Sequence, residues 1–379
     1  MILFAGKEPP PESRVALMPN SVARLVELGF EVRVARGIGD SLHLNDESYE
    51  EAGARIVADD EPGFAEADLV VRLNAPTAAE VEAMKRGSIL VSFLDPFRNP
   101  ELISRLVGRG ISTLCMELIP RSTYAQKMDA LSSQASLAGY AAVIVAAERI
   151  DKALPMMSTP AGTIAPARVF VVGVGVAGLQ AIATAKRLGA RVEAYDTRPV
   201  VEEQVQSLGA RFVKIDVGET GQTEQGYAKA LTEEQLEMQR KQMARYCANS
   251  DILITTAQVF GRPAPRIITA EMVAGMRPGS VVVDLAASTG GNVEGTVAGQ
   301  EVDVGGVRIV GLANMPGQVA RDASQMYSSN VYNLIEHAFD KELGRLELDT
   351  SDAVVDSCLL TSGGEVRHEQ IRALVEATA

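Results

Sequence analysis

The stretch Arg168-Val-Phe-Val-Val-Gly-Val-Gly-Val-Ala-Gly178 decides the fold. Its β-branched and aromatic start predicts a strand over Arg168–Val172, and the segment Ala177–Leu188 predicts a helix. Between them Gly173, Gly175 and Gly178 have the spacing that permits a tight turn, a backbone approach to a pyrophosphate and close helix packing. The free N–H groups and partial positive charge of a helix N-terminus attract phosphate. The stretch predicts a dinucleotide-binding α/β unit, although a glycine-rich turn without a ligand has the same pattern.

The next predicted strand, Arg191–Tyr195, ends in Asp196, near the distance at which an acidic residue meets the adenosine ribose. A carboxylate there accepts hydrogen bonds from both ribose hydroxyls and repels a 2′-phosphate. Arg198 complicates the prediction because arginine suits a phosphate. We expect Asp196 to point into the pocket and to decide the outcome, which favours NAD(H) over NADP(H).

A second series of short apolar strands and amphipathic helices precedes this unit, between Glu31 and Glu117. Strands that alternate with helices predict parallel sheets covered by helices. The sequence therefore predicts an α/β fold with two Rossmann-like domains, parallel sheets, long joining helices and a cleft between the domains. The Gly-rich stretch Asp216–Tyr227 has no apolar period and predicts a mobile surface loop.

Two long segments without breaks predict the joining helices, over 132–152 and 318–341. We expect a discontinuous first domain, 1–131 plus 322–379, because the C-terminal segment alone is too short for its own core. The NAD(H)-binding domain is then expected over 138–315.

Charge and composition exclude several classes of protein. The 36 Lys and Arg against 49 Asp and Glu leave a net charge of −13, which disfavours nucleic acid and anionic lipid as partners. Three dispersed cysteines indicate neither a metal site nor disulfides. The chain has no apolar run of signal-peptide type at its start, and we predict a protein without direct membrane insertion.

A polar segment, Arg121–Gln134, directly follows an apolar strand whose end should lie at a sheet edge where ligands bind. If the segment is helical, Gln126, Asp129 and Ser132 recur every three residues on one face and could grip a polar ring and its carboxamide. The alternative is a capping box over Thr123–Gln126, with Asp129 on a solvated face.

A general acid or base for alcohol or amino acid oxidation is not evident. Only His43, His337 and His368 are available, each in a context more typical of a structural or solvated histidine. A dinucleotide site without a proton-handling group indicates either no chemistry or the transfer of hydride alone.

The chain resembles the soluble NAD(H)-binding component of the proton-translocating nicotinamide nucleotide transhydrogenases. The resemblance spans nearly the whole chain. It is carried by these segments: Glu12–Pro19, Arg121–Gly139, Gly173–Gly178, Gly226–Lys229, Gly261–Pro265, Asp284–Asn292 and Asn314–Gly317.

The resemblance implies an NAD(P)⁺ transhydrogenase of the Si-specific or proton-translocating type, active only with partner subunits. It implies NAD(H) on this chain, NADP(H) on a partner subunit and proton movement through a membrane subunit. At the nicotinamide end it places Arg121, Gln126, Asp129 and Ser132, with Gln126 toward the second nucleotide. Around the rest of NAD(H) it places the three glycines together with Val176, Asp196, Thr197, Arg198, Gly226, Tyr227, Gln239 and Gln258. Tyr227 is expected at the tip of a loop that closes over the adenosine.

Alanine dehydrogenase shares the resemblance, but its catalytic lysine falls on Asn74 and its catalytic histidine on Asp95, so both proton-handling positions are lost. Its substrate-binding arginine matches Arg14, which we expect to be structural here. A non-catalytic NAD sensor is the other alternative. The family further implies a homodimer that binds separate NADP(H)-binding and transmembrane subunits at the cytoplasmic face of the inner membrane. The last residues, Glu376–Ala379, carry no membrane span, which predicts a stand-alone subunit.

Overall fold

The computed structural model describes residues 1–58, 61–215 and 232–378. The chain divides into two compact units. Unit 1 comprises Met1–Gln134 and Val319–Ala379, and unit 2 comprises Ala135–Gln318. The predicted loop Asp216–Tyr227 lies outside the described residues.

The strands of the described residues are, in chain order, β1 (Ile2–Ala5), β2 (Glu31–Ala35), β3 (Arg55–Val57), β4 (Leu69–Val71), β5 (Ile89–Ser92), β6 (Ser112–Cys115), β7 (Met157–Thr159), β8 (Gly162–Ile164), β9 (Arg168–Val172), β10 (Arg191–Tyr195), β11 (Arg211–Phe212), β12 (Ile252–Thr255), β13 (Val281–Asp284), β14 (Glu301–Val304), β15 (Val307–Val310), β16 (Phe339–Asp340), β17 (Arg345–Leu346), β18 (Leu359–Ser362) and β19 (Glu365–Val366).

The α-helices of the described residues are α1 (Pro19–Glu27), α2 (Asp46–Glu51), α3 (Gly63–Glu66), α4 (Ala78–Ala83), α5 (Pro100–Arg109), α6 (Ala130–Arg149), α7 (Val176–Arg187), α8 (Glu202–Ser207), α9 (Glu233–Asn249), α10 (Ala270–Ala274), α11 (Ala320–Ala338), α12 (Ala353–Cys358) and α13 (Glu369–Thr378). In the sequence, the boundary between the units falls inside α6 and again just before α11.

Each unit is built around one large sheet. In unit 1 the strand order is β19-β18-β6-β5-β4-β1-β2-β3, and in unit 2 it is β11-β10-β9-β12-β13-β15-β14. Strand order reverses at β1 in the first sheet and at β9 in the second, and ligands of open α/β sheets bind at such points. The predicted α/β class with Rossmann-like units is therefore confirmed.

The sheets are parallel in their interiors but not at one edge of each. β18 and β19 pair antiparallel, and so do β14 and β15. Each pair is joined by two glycines with positive φ, Gly363-Gly364 and Gly305-Gly306. Two such residues form the tight turn that returns a strand beside its predecessor, so the Gly-Gly pairs were the sequence signal for these edges.

The core of unit 1 lies on both faces of its sheet. Side chains alternate along β1: Leu3 and Ala5 belong to one buried cluster and Phe4 to the other. The cluster that contains Leu3 also includes Met128 and Tyr327, so the polar segment and α11 are packed against this sheet. In unit 2 a comparable cluster covers one sheet face. Fully buried parallel strands require apolar residues on both faces, which explains their continuous apolar runs.

Helix α6 is long and apolar enough to cross a membrane, and half of its most apolar window is buried. Core helices of globular proteins satisfy the same criterion, so this is weak evidence for a membrane span. Its first turn is hydrogen bonded to α11, because Ser133 Oγ donates to Asn330 Oδ1 at 2.7 Å and Gln134 Nε2 donates to the Ala323 carbonyl at 2.9 Å.

Candidate functional site

The three glycines after β9 have three different roles. Gly173 has a φ of +94°, which favours glycine. A Cβ on Gly178 would lie 2.0 Å from the Gly173 carbonyl oxygen, so only glycine fits there. A Cβ on Gly175 would meet no atom within 4 Å. The turn is thus closed on the protein side and open at Gly175, where α7 begins, and this arrangement fits a pyrophosphate at a helix N-terminus.

Neighbouring strand ends hold this turn in place. The Gly173 N–H donates to the Tyr195 carbonyl at 2.8 Å, and Thr256 Oγ1 donates to the Gly173 carbonyl at 3.0 Å. Asn292 in turn fixes the segment after β12, since its amide accepts from the Ala257 N–H and donates to the Ala257 carbonyl. Sequence reasoning missed the roles of Thr256 and Asn292, because both act through contacts distant in sequence.

Asp196 is engaged by protein donors. One carboxylate oxygen accepts from the Val174 N–H at 2.7 Å and from Arg198 Nη2 at 2.9 Å. The other accepts from the Arg198 N–H at 2.8 Å and from Arg198 Nε at 2.9 Å. The hydrogen bonds to Asp196 raise the pKa of the Arg198 guanidinium. The sequence predicts a carboxylate that points into the pocket, and in the structure Arg198, two residues away, folds back onto this carboxylate.

The other predicted cofactor contacts are distributed around this turn. Val176 is exposed in the first turn of α7, Thr197 is half-buried, and Gln258 is exposed with its amide donating to the Leu285 carbonyl at 3.0 Å. Gln239 is buried and its Nε2 donates to the Tyr195 hydroxyl at 3.0 Å, while its Oε1 has no hydrogen-bond partner among the described residues. Gly226 and Tyr227 lie outside the described residues.

In unit 1 the polar segment is not one continuous helix. A 3-10 turn spans Gln126–Met128, and α6 begins only at Ala130. Asp129 breaks the helical path with a ψ of 87°. Its carboxylate accepts from the Ser132 N–H at 2.9 Å and from Ser132 Oγ at 2.5 Å, as the residue before a helix does. The expected shared face of one helix is therefore wrong, and so is the alternative of a solvated Asp129, which is buried.

The predicted capping box at Thr123 is also not formed, because no α-helix begins there. Instead, two asparagines of α11 hold the segment. Asn330 and Asn333 both donate to the Lys127 carbonyl, at 2.9 and 3.0 Å. Gln126 is exposed between the buried residues Ala125 and Met128, and Arg121 is exposed near the start of the segment. The segment thus exposes the Gln126 side chain from a backbone that Asn330 and Asn333 hold at the Lys127 carbonyl.

A buried polar network lies beside this segment in unit 1. Arg14 Nε and Nη2 donate to the two oxygens of Glu12 at 2.9 and 2.7 Å, and Nη1 donates to Gln134 Oε1 at 2.7 Å. Asn74 Nδ2 donates to Glu12 at 3.1 Å. Burial alone would raise the pKa of Glu12, but the hydrogen bonds and charge of Arg14, with the Asn74 amide, lower this pKa from 4.5 to about 2. The structural role expected for Arg14 fits these contacts.

Asp95, His337 and His368 are the remaining acid/base candidates, and the first two are hydrogen bonded to protein groups. Asp95 has a φ of 44°, and its N–H donates to Glu117 at 2.7 Å; burial raises the pKa of its own carboxyl. His337 lies between Asp352 Oδ1 at 3.0 Å and the Tyr124 hydroxyl at 3.4 Å. Burial lowers the pKa of His368. Within the described ranges no group of three or more His, Cys, Asp or Glu side chains is arranged to hold a metal ion.

Comparison with known proteins identifies two matching family domains. Residues 6–138 match "Alanine dehydrogenase/PNT, N-terminal domain", and residues 142–369 match "Alanine dehydrogenase/PNT, C-terminal domain". The chain is 44% identical over 366 residues to a protein of Rhodospirillum rubrum that is named as the first portion of NAD(P) transhydrogenase subunit alpha, and the match covers 95% of both chains. It is 43% identical over 358 residues to NAD(P) transhydrogenase subunit alpha of Haemophilus influenzae, which covers 93% of this chain and 69% of that protein.

Two solved structures are similar over the whole fold. A transhydrogenase from Sinorhizobium meliloti superposes with a TM-score of 0.85 at 44% identity, over 98% of this chain and 100% of that chain. An L-alanine dehydrogenase superposes with a TM-score of 0.83 at 25% identity, over 100% of both chains.

Proposed function

We propose, from the premise that this chain belongs to the alanine dehydrogenase/PNT family, that it is the NAD(H)-binding subunit of a proton-translocating transhydrogenase. Relatives named as transhydrogenase alpha subunits support the transhydrogenase role. One observation carries the choice within the family: the glycine turn is open at Gly175 in a chain whose Asn74 and Asp95 correspond, by the resemblance, to the proton-handling residues of alanine dehydrogenases. The proposed reaction is NADH + NADP⁺ ⇌ NAD⁺ + NADPH.

The residues of this chain act by binding and positioning. Bound NADH supplies a hydride to NADP⁺ held by a partner subunit, and a direct transfer between nicotinamides releases no proton. The glycine turn and the α7 N-terminus bind the pyrophosphate, and Asp196 belongs to the adenosine end. Asp129 and Ser132 bind the carboxamide and ribose at the nicotinamide end, while Gln126 lies toward the second nucleotide. Positioning of reacting atoms supplies most of the rate in such a reaction.

Partners are part of the proposal. The relatives are named as alpha subunits, which favours a complex with further subunits. We propose NADP(H)-binding and transmembrane subunits, with this chain peripheral on the cytoplasmic face of the inner membrane. A homodimer is favoured by the hairpin β7–β8, where Met156, Met157 and Ile164 are exposed. Exposed apolar groups of this kind are typical of surfaces that another chain covers.

Alanine oxidation is disfavoured by the contacts of Arg14. Three nitrogens of its guanidinium donate to Glu12 and Gln134, and Arg14 is only 9% exposed. A substrate carboxylate would have to replace Glu12 on this arginine, at the expense of a buried ion pair. Asn74, which cannot exchange a proton near neutral pH, contacts the same glutamate.

Reconstitution tests the proposal. The purified chain, NADH and an NADP⁺-loaded partner domain are mixed, and reduction of the second nucleotide is followed. We expect reduction that requires all three components, and no oxidation of NADH with pyruvate and ammonium. Binding of NADH without transfer to any NADP⁺-binding domain would instead indicate the sensor. Turnover with pyruvate and ammonium would indicate an alanine dehydrogenase.

A further inference from the structure

The side chain of Arg198 occupies the positions that a ribose would need on Asp196. Each carboxylate oxygen accepts about two hydrogen bonds. Backbone N–H groups of Val174 and Arg198 take one position on each oxygen, at 2.7 and 2.8 Å. The Nε and Nη2 groups of Arg198 take the other two, both at 2.9 Å. The acceptor capacity of Asp196 is therefore filled within unit 2.

The guanidinium and a ribose make the same kind of contact. A planar fork of two N–H donors binds a carboxylate through both oxygens, as Arg198 does here. The 2′ and 3′ hydroxyls of a ribose form a similar pair of adjacent donors. The two N–H groups of Arg198 and the two ribose hydroxyls each need one lone pair on each carboxylate oxygen. After the backbone N–H groups are bound, Asp196 has only one such lone pair left on each oxygen. The two kinds of donor therefore compete for it.

We propose that Arg198 is an internal competitor of the adenosine ribose. The need to displace it from Asp196 limits the affinity for NAD(H) and reduces the selectivity for NAD(H) over NADP(H). This inference rests on the NAD(H) site of the proposed function. Because Arg198 Nη2 also donates to the Val174 carbonyl at 3.1 Å, the competing side chain is fixed to the glycine turn as well. A diol that binds must replace a preformed contact.

A 2′-phosphate behaves differently from a diol. It has no 2′ hydroxyl to donate, so it cannot replace the fork of Arg198 at both oxygens. The ion pair of Arg198 with Asp196 also lowers the net negative charge that the phosphate meets. Removal of the guanidinium should therefore strengthen binding of diol ligands and weaken binding of 2′-phosphorylated ones, so that selectivity for NAD(H) increases.

Binding of small ligands tests the competition without any partner subunit. Dissociation constants of NADH, ADP-ribose and NADPH are measured by fluorescence or calorimetry for the wild type, Arg198→Met and Arg198→Lys. We expect Arg198→Met to bind NADH and ADP-ribose about threefold to tenfold more tightly, as loss of a partly exposed ion pair predicts. NADPH binding should weaken. Lysine keeps the charge but not the fork, so its affinities should fall between those of the other two proteins.

Two further variants isolate the competition. Arg211→Met removes an exposed arginine of β11 that pairs with Glu193, so it matches the charge change away from Asp196 and should leave the affinities unchanged. In an Asp196→Asn background, Arg198→Met should no longer strengthen NADH binding, because the shared acceptor has lost its charge.

The proposal is wrong if Arg198→Met binds NADH and ADP-ribose as the wild type does or more weakly, since Arg198 would then be neutral or a ligand contact. Thermal unfolding of each variant establishes that it is folded. Failure of hydride transfer with the partner would contradict the proposed function and leave these binding results untouched, so the two failures are distinguishable.

Discussion

Asp129 in unit 1 and Asp196 in unit 2 are two aspartates of low exposure with opposite hydrogen-bonding states. Asp196 accepts from four protein donors, three of them on Arg198. The carboxylate of Asp129 accepts from two donors in the described part of the chain, both on Ser132. A carboxylate has room for about four such bonds. Asp129 therefore keeps acceptor capacity for an incoming N–H group, whereas a ligand reaches Asp196 only by displacing Arg198.

The difference separates two ways of preparing a site. At Asp129, hydrogen bonds from Ser132 orient the carboxylate and leave some of its lone pairs for a ligand. This arrangement suits an end of the cofactor that must be oriented. At Asp196 the protein supplies its own ligand, which suits an end that must also be released. Substitutions at each aspartate and at the residues that support it test this difference.

The largest effect is expected from Gly178→Ala, which changes the glycine turn Gly173–Gly178, whose Val174 N–H donates to Asp196. The new Cβ would lie 2.0 Å from the Gly173 carbonyl oxygen, so the backbone must move. We expect a loss of more than about 3 kcal/mol of unfolding free energy and loss of NADH binding. Urea unfolding and NADH titration measure both.

Gly175→Ala is the matched control, because a Cβ there meets nothing within 4 Å and the backbone φ is −84°. Stability should stay within about 0.5 kcal/mol of the wild type. NADH affinity should still fall, because the methyl group would occupy the open approach to the turn. Normal affinity in this variant would show that the pyrophosphate does not approach at Gly175.

How much the sequence could predict differs between the two sites. The glycine turn was predictable because each glycine acts on atoms within a few residues or on the next strand. The conformation around Asp129 was not, because residues spaced by three fit a helix face and a helix start equally well. The choice depends on α11, whose Asn330 and Asn333 bind the Lys127 carbonyl from about two hundred residues away.

Sequence patterns also failed to predict the antiparallel sheet edges and the buried ion pairs. Periodicity predicted the strands and long helices, but the antiparallel edges depended on two Gly-Gly turns that the pattern of apolar runs does not register. The Arg198 fork on Asp196 and the Glu12–Arg14 pair were not predicted, since side-chain pairing depends on rotamers and packing that spacing does not determine.

The second largest effect is expected from Glu12→Gln, which removes a buried carboxylate near the Asp129 segment. The pKa of Glu12 is lowered from 4.5 to about 2, so its stabilisation is present above pH 4.5 and is lost as the pH falls toward 2. We expect the variant to lose about 3 kcal/mol at pH 7. The difference from the wild type should shrink across that acid range, as urea unfolding at several pH values would measure.

The exposed Glu82→Gln variant is the control for the loss of one negative charge. It should unfold like the wild type at every pH. If Glu12→Gln differs from the wild type by the same amount at pH 7 and at pH 2, ionisation of Glu12 does not stabilise the fold.

Asp129→Asn removes the charge and one acceptor oxygen from the aspartate that keeps acceptor capacity for a ligand. Asparagine also caps helices, so α6 should remain stable. Loss of the charge and of one acceptor oxygen should misplace the nicotinamide and slow hydride transfer about a hundredfold, the scale of a displacement of about 1 Å. Stopped-flow transfer with the partner domain measures this rate. Ser132→Ala keeps the carboxylate and should slow transfer less; an equal loss in both variants would assign the effect to the serine.

The smallest effect is expected from Gln126→Asn, because the Gln126 side chain is exposed. The shorter side chain withdraws the amide from the second nucleotide without changing the fold. We expect unchanged stability, nearly unchanged NADH affinity and transfer about tenfold slower. Lys127→Arg, at the adjacent exposed position, should transfer at the wild-type rate. If transfer is unchanged in Gln126→Asn, Asp129 and Ser132 orient the nicotinamide ring without Gln126. The difference between the two sites would then depend on the acceptor capacity that Asp129 keeps and that Arg198 fills on Asp196.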